Sequence, residues 1–405
     1  MDPLSYLFGL ELFGIKFGLE NISAIVAGLG HPERTFRVVH VAGTNGKGSV
    51  TAMVEVALRA AGHRSARYTS PHLVDLTERF VIDGRPVSPG ALAAAVADVR
   101  GAVEGLRRNG TLSVQPTFFE VTTAVAFELF RRAGVDVAVV EVGLGGRLDA
   151  TNVVEPVVTA IVSIALDHQR YLGSTLADIA FEKAGIIKTG VPVVVGDLGP
   201  DAMAVVEQVA RDRGAPLVRT SPADVAGFAI GLLGEHQVAN AAVAAGVLRE
   251  SAARGLGVPA AALAEGLAHP AWPGRIDVRR LPGGREVTLD AAHNPAGAAA
   301  LSSYLMAQAG AKQPLVFAAM QDKDAAGMFR ALLPAVERLI VTRASTRRSA
   351  DPVALAELAR TIAPTLPVTV EPEITAALAA AYRTSPRIVV AGSIFLLGDV
   401  MKAVA

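Results

Sequence analysis

The chain has 405 residues, which is enough for two domains with hydrophobic cores of their own. Its 38 basic and 38 acidic side chains balance, so it lacks the broad positive field that gathers nucleic acid or an anionic membrane surface. It contains no cysteine, which excludes disulfides, thiolate catalysis and cysteine-type zinc sites and fits an intracellular compartment. We therefore expect small-molecule ligands, no nucleic-acid or membrane partner, and a cytoplasmic location.

The start of the chain is apolar in places, but Asp2, Glu11 and Lys16 interrupt it and no basic segment precedes an apolar core. We therefore expect no signal peptide. No stretch approaches the roughly 18–20 apolar residues that a membrane helix needs.

Short β-branched runs alternate with alanine-rich stretches, which is typical of an α/β protein with a mostly parallel sheet. Strands are predicted at residues 36–41, 135–142, 157–164, 191–195, 286–289, 315–318, 338–342 and 387–390, and helices at 50–61 and 176–187. Residues 269–275 contain two prolines and a glycine, which cannot continue a helix. The sequence therefore predicts a first domain at 1–268, a linker at 269–275 and a smaller α/β domain at 276–405.

A glycine-rich segment at residues 42–49 lies between the first predicted strand and a predicted helix, which is the context of a phosphate-binding loop. Its glycines let backbone N–H groups surround phosphate oxygens, and the start of the helix adds a partial positive charge. Lys47 supplies a full positive charge. Two fewer residues separate Gly43 from Gly46 than in the common P-loop, and an extra glycine precedes Ser49. The segment therefore indicates nucleotide binding by a variant of that loop.

Two polar residues follow strand ends of the first predicted domain, where ligands bind in open α/β sheets. Glu141 lies at the end of one strand, and His168 follows the next strand along the chain. A carboxylate beside a phosphate loop suits Mg²⁺, which prefers hard oxygen ligands together with nucleotide phosphates. His168, considered alone, fits packing or hydrogen bonding as well as metal ligation.

Two later segments carry polar groups whose role the residue types alone do not decide. Lys183 lies in an apolar helix end, where a surface position with the ammonium group in water is the simpler interpretation. Asp290 and His293 directly follow a strand of the second predicted domain, in a loop that could face the nucleotide of the first.

The motifs, taken in order, resemble those of folylpolyglutamate synthases and dihydrofolate synthases, members of the Mur ligase superfamily. The resemblance covers nearly the whole chain, and the matching segments are residues 40–49, 68–73, 117–120, 141–152, 166–168, 182–186, 272–275 and 290–295. One such motif is weak evidence, whereas the ordered set is very specific. It implies an α/β fold, with a P-loop, Mur ligase-like ATP-binding domain and a smaller, Rossmann-like C-terminal glutamate-ligase domain.

The resemblance implies a nucleotide site and a metal site in a cleft between the domains. Positions that match the family's ATP contacts are Thr44, Asn45, Gly46, Lys47, Gly48 and Ser49 in the loop, and Asn240, Arg275 and Asp290 beyond it. The implied ligands of two Mg²⁺ ions are Ser49, Ser70, Glu141, His168 and an N-carboxylated Lys183. A carbamate supplies the hard oxygen that a lysine lacks. A monovalent cation such as K⁺ is a further candidate cofactor.

The implied reaction has two steps. The substrate carboxylate attacks the γ-phosphate of ATP and gives an acyl phosphate, while Mg²⁺ and Lys47 offset the charge on the transferring group. The amine of L-glutamate then attacks the acyl phosphate, and an amide forms. The expected catalytic residues are Lys47, Lys183 and His293, the last as a contact for the incoming glutamate or the developing charge.

The resemblance also implies where the acceptor binds. The positions that match the family's pterin contacts are Phe17, Thr117, Phe118, Phe119, Glu120, Leu148, Asp149 and Ala150. A carboxylate such as Asp149 can accept two donors from a 2-amino pyrimidine edge, and a ring such as Phe119 can stack on a pterin. Because residues 146–152 resemble the bifunctional enzymes, we expect ligation of glutamate to dihydropteroate and to the γ-carboxylate of reduced folates. Chain extension alone is the alternative.

Two other protein classes share the P-loop. A peptidoglycan-precursor Mur ligase normally carries a separate domain before the loop, and a loop at residue 43 leaves no room for one. A P-loop switch or transport ATPase, which would hydrolyse ATP without glutamate, is a further alternative. We expect a monomer, since nothing in the sequence indicates a dedicated interface.

Overall fold

The computed structural model describes residues 2–14 and 16–404, and the side chains of these residues except those of residues 12 and 13. The chain forms two compact units. The first comprises Met1–Ile164, Leu172–Gly231 and Ala239–Pro270, and the second comprises Ala165–Tyr171, Leu232–Val238 and Ala271–Ala405. The last division lies inside the predicted linker, while two short segments of the first predicted domain belong to the second unit.

The first unit contains an eight-stranded sheet in the described part of the chain. Its strands are β1 (Arg37–Ala42), β2 (Ser65–Tyr68), β3 (Phe80–Ile82), β4 (Arg85–Pro86), β5 (Val137–Glu141), β6 (Val158–Ile161), β7 (Val193–Val195) and β8 (Leu217–Arg219). The spatial order is β4-β3-β2-β5-β1-β6-β7-β8, and only the pairs β2–β3 and β3–β4 are antiparallel among these strands. Buried β-branched residues fill the central strands, as expected for a parallel sheet covered on both faces.

The carboxyl ends of the three central strands lie side by side. β1 pairs with β5 in the register Val41 to Glu141 and with β6 in the register Ala42 to Ile161. The phosphate loop that follows β1, the carboxylate that ends β5 and the segment that follows β6 therefore meet at one edge of the sheet.

Ten α-helices of the described residues precede the second sheet. They are α1 (Pro3–Gly9), α2 (Glu20–Gly28), α3 (Lys47–Ala60), α4 (Pro89–Arg108), α5 (Phe118–Arg132), α6 (Gln169–Leu172), α7 (Leu176–Ala184), α8 (Pro200–Asp212), α9 (His236–Ala253) and α10 (Ala260–Ala268). None of the helices in the described residues combines the length and apolar character needed to cross a bilayer.

Helix α7 ends three residues before the predicted limit at residue 187. In a continued helix the carbonyl of Glu182 would accept from the N–H of Ile186. It accepts instead from the backbone N–H of Arg147 at 2.8 Å. The N–H of Ile186 turns to the carbonyl of Lys183 at 3.3 Å, a tighter bond that closes the helix. A contact made 35 residues away in sequence therefore ends this helix, which periodicity alone does not predict.

The second unit contains a six-stranded sheet in the order β13-β12-β11-β14-β10-β9 among the described residues. Its strands are β9 (Asp277–Leu281), β10 (Arg285–Asp290), β11 (Leu315–Phe317), β12 (Leu339–Val341), β13 (Val368–Val370) and β14 (Arg387–Ala391), and its later helices are α11 (Pro295–Ala307), α12 (Ala325–Leu332), α13 (Pro352–Ile362), α14 (Ile374–Tyr382) and α15 (Ile394–Val404). Only β9 runs antiparallel to its neighbour in this sheet as described.

Candidate active site

The phosphate loop is backed closely by two other segments of the first unit. Gly46 has a φ of 81°, and a β-carbon there would lie 2.3 Å from Oδ1 of Asn240 and 2.8 Å from Cγ1 of Val162. Glycine is required because it alone tolerates both the positive φ and the close approach. The structure thus places Asn240, a predicted nucleotide contact, directly against the loop.

Ser163, which the sequence did not single out, forms hydrogen bonds with the phosphate loop. Its Oγ donates to the carbonyl of Asn45 at 2.9 Å and accepts from the N–H of Asn45 at 3.0 Å. Its own carbonyl accepts from the N–H of Thr44 at 2.8 Å. The available sequence signal is a hydroxyl residue just beyond a buried strand, and its partners lie 118 residues away.

Two lysines converge on one carbonyl oxygen of the loop. Lys47 Nζ donates to the carbonyl of Gly43 at 3.1 Å and to that of Thr44 at 3.3 Å. Lys183 Nζ donates to the same Gly43 carbonyl at 3.0 Å. Lys183 is 4% exposed, so the interpretation of this residue as a surface lysine is wrong. Lys47 Nζ also lies 3.8 Å from Oε1 of Glu141, the last residue of β5.

Several oxygen donors suited to a hard cation lie at the same edge. Glu141 is buried and its Oε2 accepts from the N–H of Ser70 at 3.3 Å. Ser49 is 1% exposed, and its Oγ has no hydrogen-bond partner among the described residues. A buried hydroxyl of this kind fits a bound metal ion or phosphate, because an unsatisfied polar atom is otherwise costly. His168 belongs to the second unit, and its place in this ligand set remains a prediction.

No three His, Asp or Glu side chains in residues 2–14 and 16–404 are arranged to hold a metal ion. The predicted set differs from such a group, since it contains one glutamate and one histidine beside two serines and a modified lysine. Within the first unit, the oxygens of Ser49, Ser70 and Glu141 suit a Mg²⁺ ion that takes the rest of its coordination from nucleotide phosphates and water.

The predicted acceptor-binding aromatics lie at the start of α5. Thr117 and Glu120 form a reciprocal capping box there, with Oε2 of Glu120 accepting from the N–H of Thr117 at 2.7 Å. The ring of Phe119 stacks on Tyr68 at 6.1 Å between centroids and lies so close to Gly143 that a β-carbon there would be 2.4 Å from Cζ.

The neighbouring ring of Phe118 contacts two groups that the sequence did not assign. Phe8 of α1 stacks on it at 6.3 Å between centroids, and the guanidinium of Arg79 lies 5.2 Å from its centroid. Phe17, another predicted acceptor contact, is 41% exposed, while residue 15 of the same stretch lies outside the described residues. A planar, polar-edged ligand suits such surroundings.

Asp149 is buried and organises the loop that follows β5. Its Oδ1 accepts from the N–H of Thr151 at 3.0 Å and from Thr151 Oγ1 at 2.5 Å, and its Oδ2 accepts from the N–H of Leu144 at 2.8 Å. Burial raises the pKa of the Asp149 carboxyl, although these donors oppose the rise. Next to it, Leu148 is half-buried and Ala150 is 5% exposed. The carboxylate therefore already holds the loop, whatever ligand it also contacts.

In the second unit, the carboxylate of Asp167 contacts several polar residues of loops that follow strands. Lys323 Nζ lies 2.6 Å from Oδ1 of Asp167 and 3.4 Å from Nε2 of His168. Asn294 Nδ2 donates to Oδ2 of Asp167 at 3.1 Å, and His293 Nε2 lies 3.5 Å from the same oxygen. Burial alone would raise the pKa of Asp167, but the hydrogen bond with His293 and the charge of Lys323 hold it well below its ordinary value.

Asp290 ends β10 and shapes the turn that carries Arg275. Its Oδ2 accepts from the N–H of Ile276 at 2.8 Å and its Oδ1 from that of Ala292 at 2.9 Å. Ile276 has a φ of 48°, an uncommon conformation that these bonds stabilise. Burial raises the pKa of Asp290, and the nearby charge of Arg275 opposes the rise. Direct contact of Asp290 or Arg275 with a nucleotide remains a prediction.

Comparison with known proteins places this geometry in a family. Residues 274–394 match the family described as Mur ligase, glutamate ligase domain. The chain is 38% identical over 360 residues to the dihydrofolate synthase/folylpolyglutamate synthase of Bacillus subtilis, covering 82% of each chain. The chain belongs to the dihydrofolate synthase/folylpolyglutamate synthase family. The resemblance drawn from the motifs, the α/β fold and, at the level of the family, the predicted ligase class are confirmed.

Solved structures of this family match nearly the whole chain. The structure described as E. coli FolC in complex with DHPP and ADP has a TM-score of 0.88 and 32% identity, covering 100% of this chain and 97% of that one. A bifunctional enzyme of the family from Yersinia pestis, complexed with AMPPNP and a Mn ion, has a TM-score of 0.86 and 32% identity, covering 99% and 96%.

Some relatives are longer than this chain. The probable bifunctional folylpolyglutamate synthase/dihydropteroate synthase of Haloferax volcanii is 36% identical over 385 residues, which cover 88% of this chain but 44% of the relative. The chain spans about half the length of such relatives, so their names describe more than the part that it matches.

Proposed function

We propose that the protein uses ATP to join L-glutamate to dihydropteroate, giving dihydrofolate, and to the γ-carboxylate of reduced folates. The observation that carries this proposal is a cluster at the phosphate loop, where Lys47 and Lys183 both donate to the carbonyl of Gly43 and Lys47 lies 3.8 Å from Glu141. Family membership supplies the reaction class, and the cluster supplies the groups for activating a carboxylate with ATP.

In the first step an oxygen of the acceptor carboxylate attacks the γ-phosphorus of ATP in line. The bond from that phosphorus to the bridging oxygen breaks, ADP leaves with the electron pair, and an acyl phosphate forms. Lys47, now 3.1 Å from the carbonyl of Gly43, must turn from the loop toward the phosphate oxygens to offset their charge. Backbone N–H groups at the start of α3 contribute in the same direction.

Ser49, Ser70 and Glu141 would hold Mg²⁺ in this proposal, with His168 and a carbamate on Lys183 as further ligands. Bound Mg²⁺ would neutralise charge on the nucleotide phosphates and on the phosphoryl group in transfer. The free Ser49 hydroxyl and the buried Glu141 carboxylate support this assignment.

In the second step the unprotonated amine of glutamate attacks the carbonyl carbon of the acyl phosphate. The tetrahedral intermediate collapses, phosphate leaves with the electron pair of the C–O bond, and the nitrogen loses a proton as the amide forms. His293 remains the candidate for contacting glutamate or the developing charge, and its Nδ1 is oriented by the carbonyl of Ala291 at 2.8 Å.

Recognition of a pterin-bearing acceptor rests on the surroundings of α5 and Asp149. Phe118 and Phe119 present half-buried rings, and the Asp149 carboxylate lies in the loop after β5. The presence of DHPP in the E. coli relative supports an acceptor of this class here. The alternative, extension of folates alone, keeps the same catalytic cluster and differs only in the acceptor. We also propose that the protein is cytoplasmic and monomeric. Light scattering would test the oligomeric state.

An ATP-turnover assay tests the proposal. Phosphate release and product mass are measured with dihydropteroate or tetrahydrofolate, each with and without L-glutamate. We expect amide product and stoichiometric phosphate only when acceptor and glutamate are both present. Phosphate release that needs neither would assign the chain to nucleotide hydrolysis instead, and product from tetrahydrofolate alone would support the alternative.

A further inference from the structure

We propose that His40 and Thr151 are positioning residues for the acceptor, acting through Asp149 by a buried chain of hydrogen bonds. His40 Nε2 lies 2.8 Å from Thr151 Oγ1, and Thr151 Oγ1 lies 2.5 Å from Oδ1 of Asp149. The inference rests on the proposed function, in which the Asp149 carboxylate contacts the pterin ring.

The chemistry of the three side chains determines which atom donates in each hydrogen bond. The carboxylate can only accept, so the Thr151 hydroxyl donates to Asp149 and has its lone pairs left for His40. His40 must therefore donate through Nε2–H, which makes Nδ1 the unprotonated nitrogen of a neutral ring. Donor bonds aligned head to tail in this way strengthen one another in a low-dielectric interior.

The surroundings keep His40 in this state. His40 and Thr151 are both 0% exposed, and Nδ1 of His40 has no hydrogen-bond partner among the described residues. Burial and the nearby charge of Lys188 lower the pKa of His40 to about 3. An imidazole with a single partner in the middle of a sheet adds little to stability that an apolar side chain would not, so its one bond is the feature that needs explanation.

The chain of bonds also joins two parts of the proposed site. His40 lies in β1, three residues before Gly43 of the phosphate loop, and Asp149 lies in the loop after β5. The relative placement of the loop and the carboxylate is thus defined by side chains and not only by the sheet. Loss of the His40 donor frees the Thr151 hydroxyl to rotate, and loss of the Thr151 hydroxyl removes one hydrogen bond from Oδ1 of Asp149.

The test uses paired substitutions that remove or keep each donor. Thr151→Val removes the hydroxyl with little change of shape, and Thr151→Ser keeps it. His40→Leu removes the donor, and His40→Gln keeps an amide N–H at the position of Nε2. Thr159→Val is the matched control, because Thr159 is also a fully buried threonine, lies in β6 next to the strand of His40, and donates to the carbonyl of Pro192 at 3.2 Å.

We expect Thr151→Val and His40→Leu each to raise KM for dihydropteroate about tenfold, the effect of about one lost hydrogen bond, while KM for ATP changes by less than about twofold. Thr151→Ser, His40→Gln and Thr159→Val should stay within about threefold of wild type for both substrates. Because the two residues act in series, the double variant should be no worse than the worse single variant. KM is independent of the fraction of folded enzyme, so partial unfolding does not imitate this pattern.

Asp149→Asn separates the two levels of the proposal. If it raises KM for dihydropteroate while Thr151→Val and His40→Leu behave like Thr159→Val, the positioning role is wrong and the acceptor contact stands. The positioning role is also wrong if the increases in KM for dihydropteroate multiply in the double variant, or if KM for ATP rises by the same factor. If Asp149→Asn leaves KM for dihydropteroate unchanged, the acceptor contact and the inference built on it both fall.

Discussion

At the scale of the residue, burial decides what a titratable side chain can do. His40 lies in the central strand of the first sheet with no solvent exposure, and its pKa falls to about 3. It therefore stays neutral throughout the physiological range, and it can serve as a fixed hydrogen-bond donor but not as a proton carrier.

This pKa predicts a pH dependence of stability. An unfolded histidine takes up a proton near pH 6.5 that folded His40 refuses, so stability is fully present above that pH and is lost as the pH falls toward 3. His40→Gln removes this term. Between pH 7 and pH 5, we expect the free energy of unfolding of wild type to fall by about 2 kcal/mol more than that of His40→Gln, as measured by chemical denaturation. His269→Gln, which removes an exposed imidazole, is the control, and a constant gap for His40→Gln would contradict the prediction.

Ser163 gives a second prediction at this scale. Ser163→Ala removes both side-chain bonds to Asn45 but keeps the backbone bond to Thr44, so the loop should loosen without losing its path. We expect KM for ATP to rise about tenfold, with KM for the acceptor nearly unchanged. Ser251→Ala is the matched control, because the buried Ser251 hydroxyl has no hydrogen-bond partner among the described residues. Equal effects of the two substitutions would show that the bonds to the loop are unimportant.

At the scale of the element, the position of α3 sets the position of the phosphate loop. Helix α10 packs on α3 at Gly266, where a β-carbon would lie 2.5 Å from Cβ of Ala57 and 2.6 Å from the carbonyl oxygen of Met53. The absence of a side chain at Gly266 therefore lets the two backbones approach closely.

Gly266→Ala should accordingly destabilise the protein by about 1–3 kcal/mol, because overpacking forces the helices apart, and should raise KM for ATP by shifting the start of α3. Gly101→Ala in α4 is the contrasting substitution, since no atom lies within 4 Å of its added carbon. That change should stabilise the protein by about 0.5–1 kcal/mol through helix propensity and leave KM unaltered. Denaturation midpoints for both variants check the prediction, which fails if Gly266→Ala is neutral.

Eight of the strands were predicted from sequence, and β2, β3, β4, β8, β9, β13 and the exact limits of the elements were not. β-branched runs located the central strands because parallel strands are buried on both faces. The predicted helix at 50–61 begins earlier, at Lys47, because its first turn belongs to the glycine-rich loop, where apolar periodicity is absent. The early end of α7 depends on a bond between Arg147 and Glu182, which no local pattern encodes.

Some residues of the candidate site were likewise predicted from sequence, and others were not. Lys47 and Glu141 could be found because they lie in motifs, and Asn240 because it matches a nucleotide contact of the family. The structure places each of them at the phosphate loop. Ser163 and Thr151 escaped because their importance lies in partners more than 100 residues distant or in a bond hidden inside the core.

At the scale of the whole molecule, nucleotide binding should stabilise the folded chain through the metal. A ligand that binds only the folded state at about 100 times its Kd adds about 2.7 kcal/mol. We expect ADP with Mg²⁺ to raise Tm and EDTA to abolish most of that shift, because Glu141 near the phosphates repels them unless a cation lies between. Differential scanning fluorimetry measures both. Lys47→Met should lose the shift in either condition, and a shift that persists in EDTA would remove the metal from the nucleotide site.

The arrangement of β1 between β5 and β6 has a consequence for synthesis of the protein. β1 leaves the ribosome early, yet its neighbours in the sheet follow about 100 residues later, and the serine that fastens the loop comes after both. Non-local pairing of this kind slows folding, and domains generally fold as units during synthesis. A nascent chain that ends before Ser163 therefore carries the complete glycine-rich loop but lacks the serine that hydrogen-bonds to it, so we expect nucleotide to assist folding only after synthesis has passed residue 163.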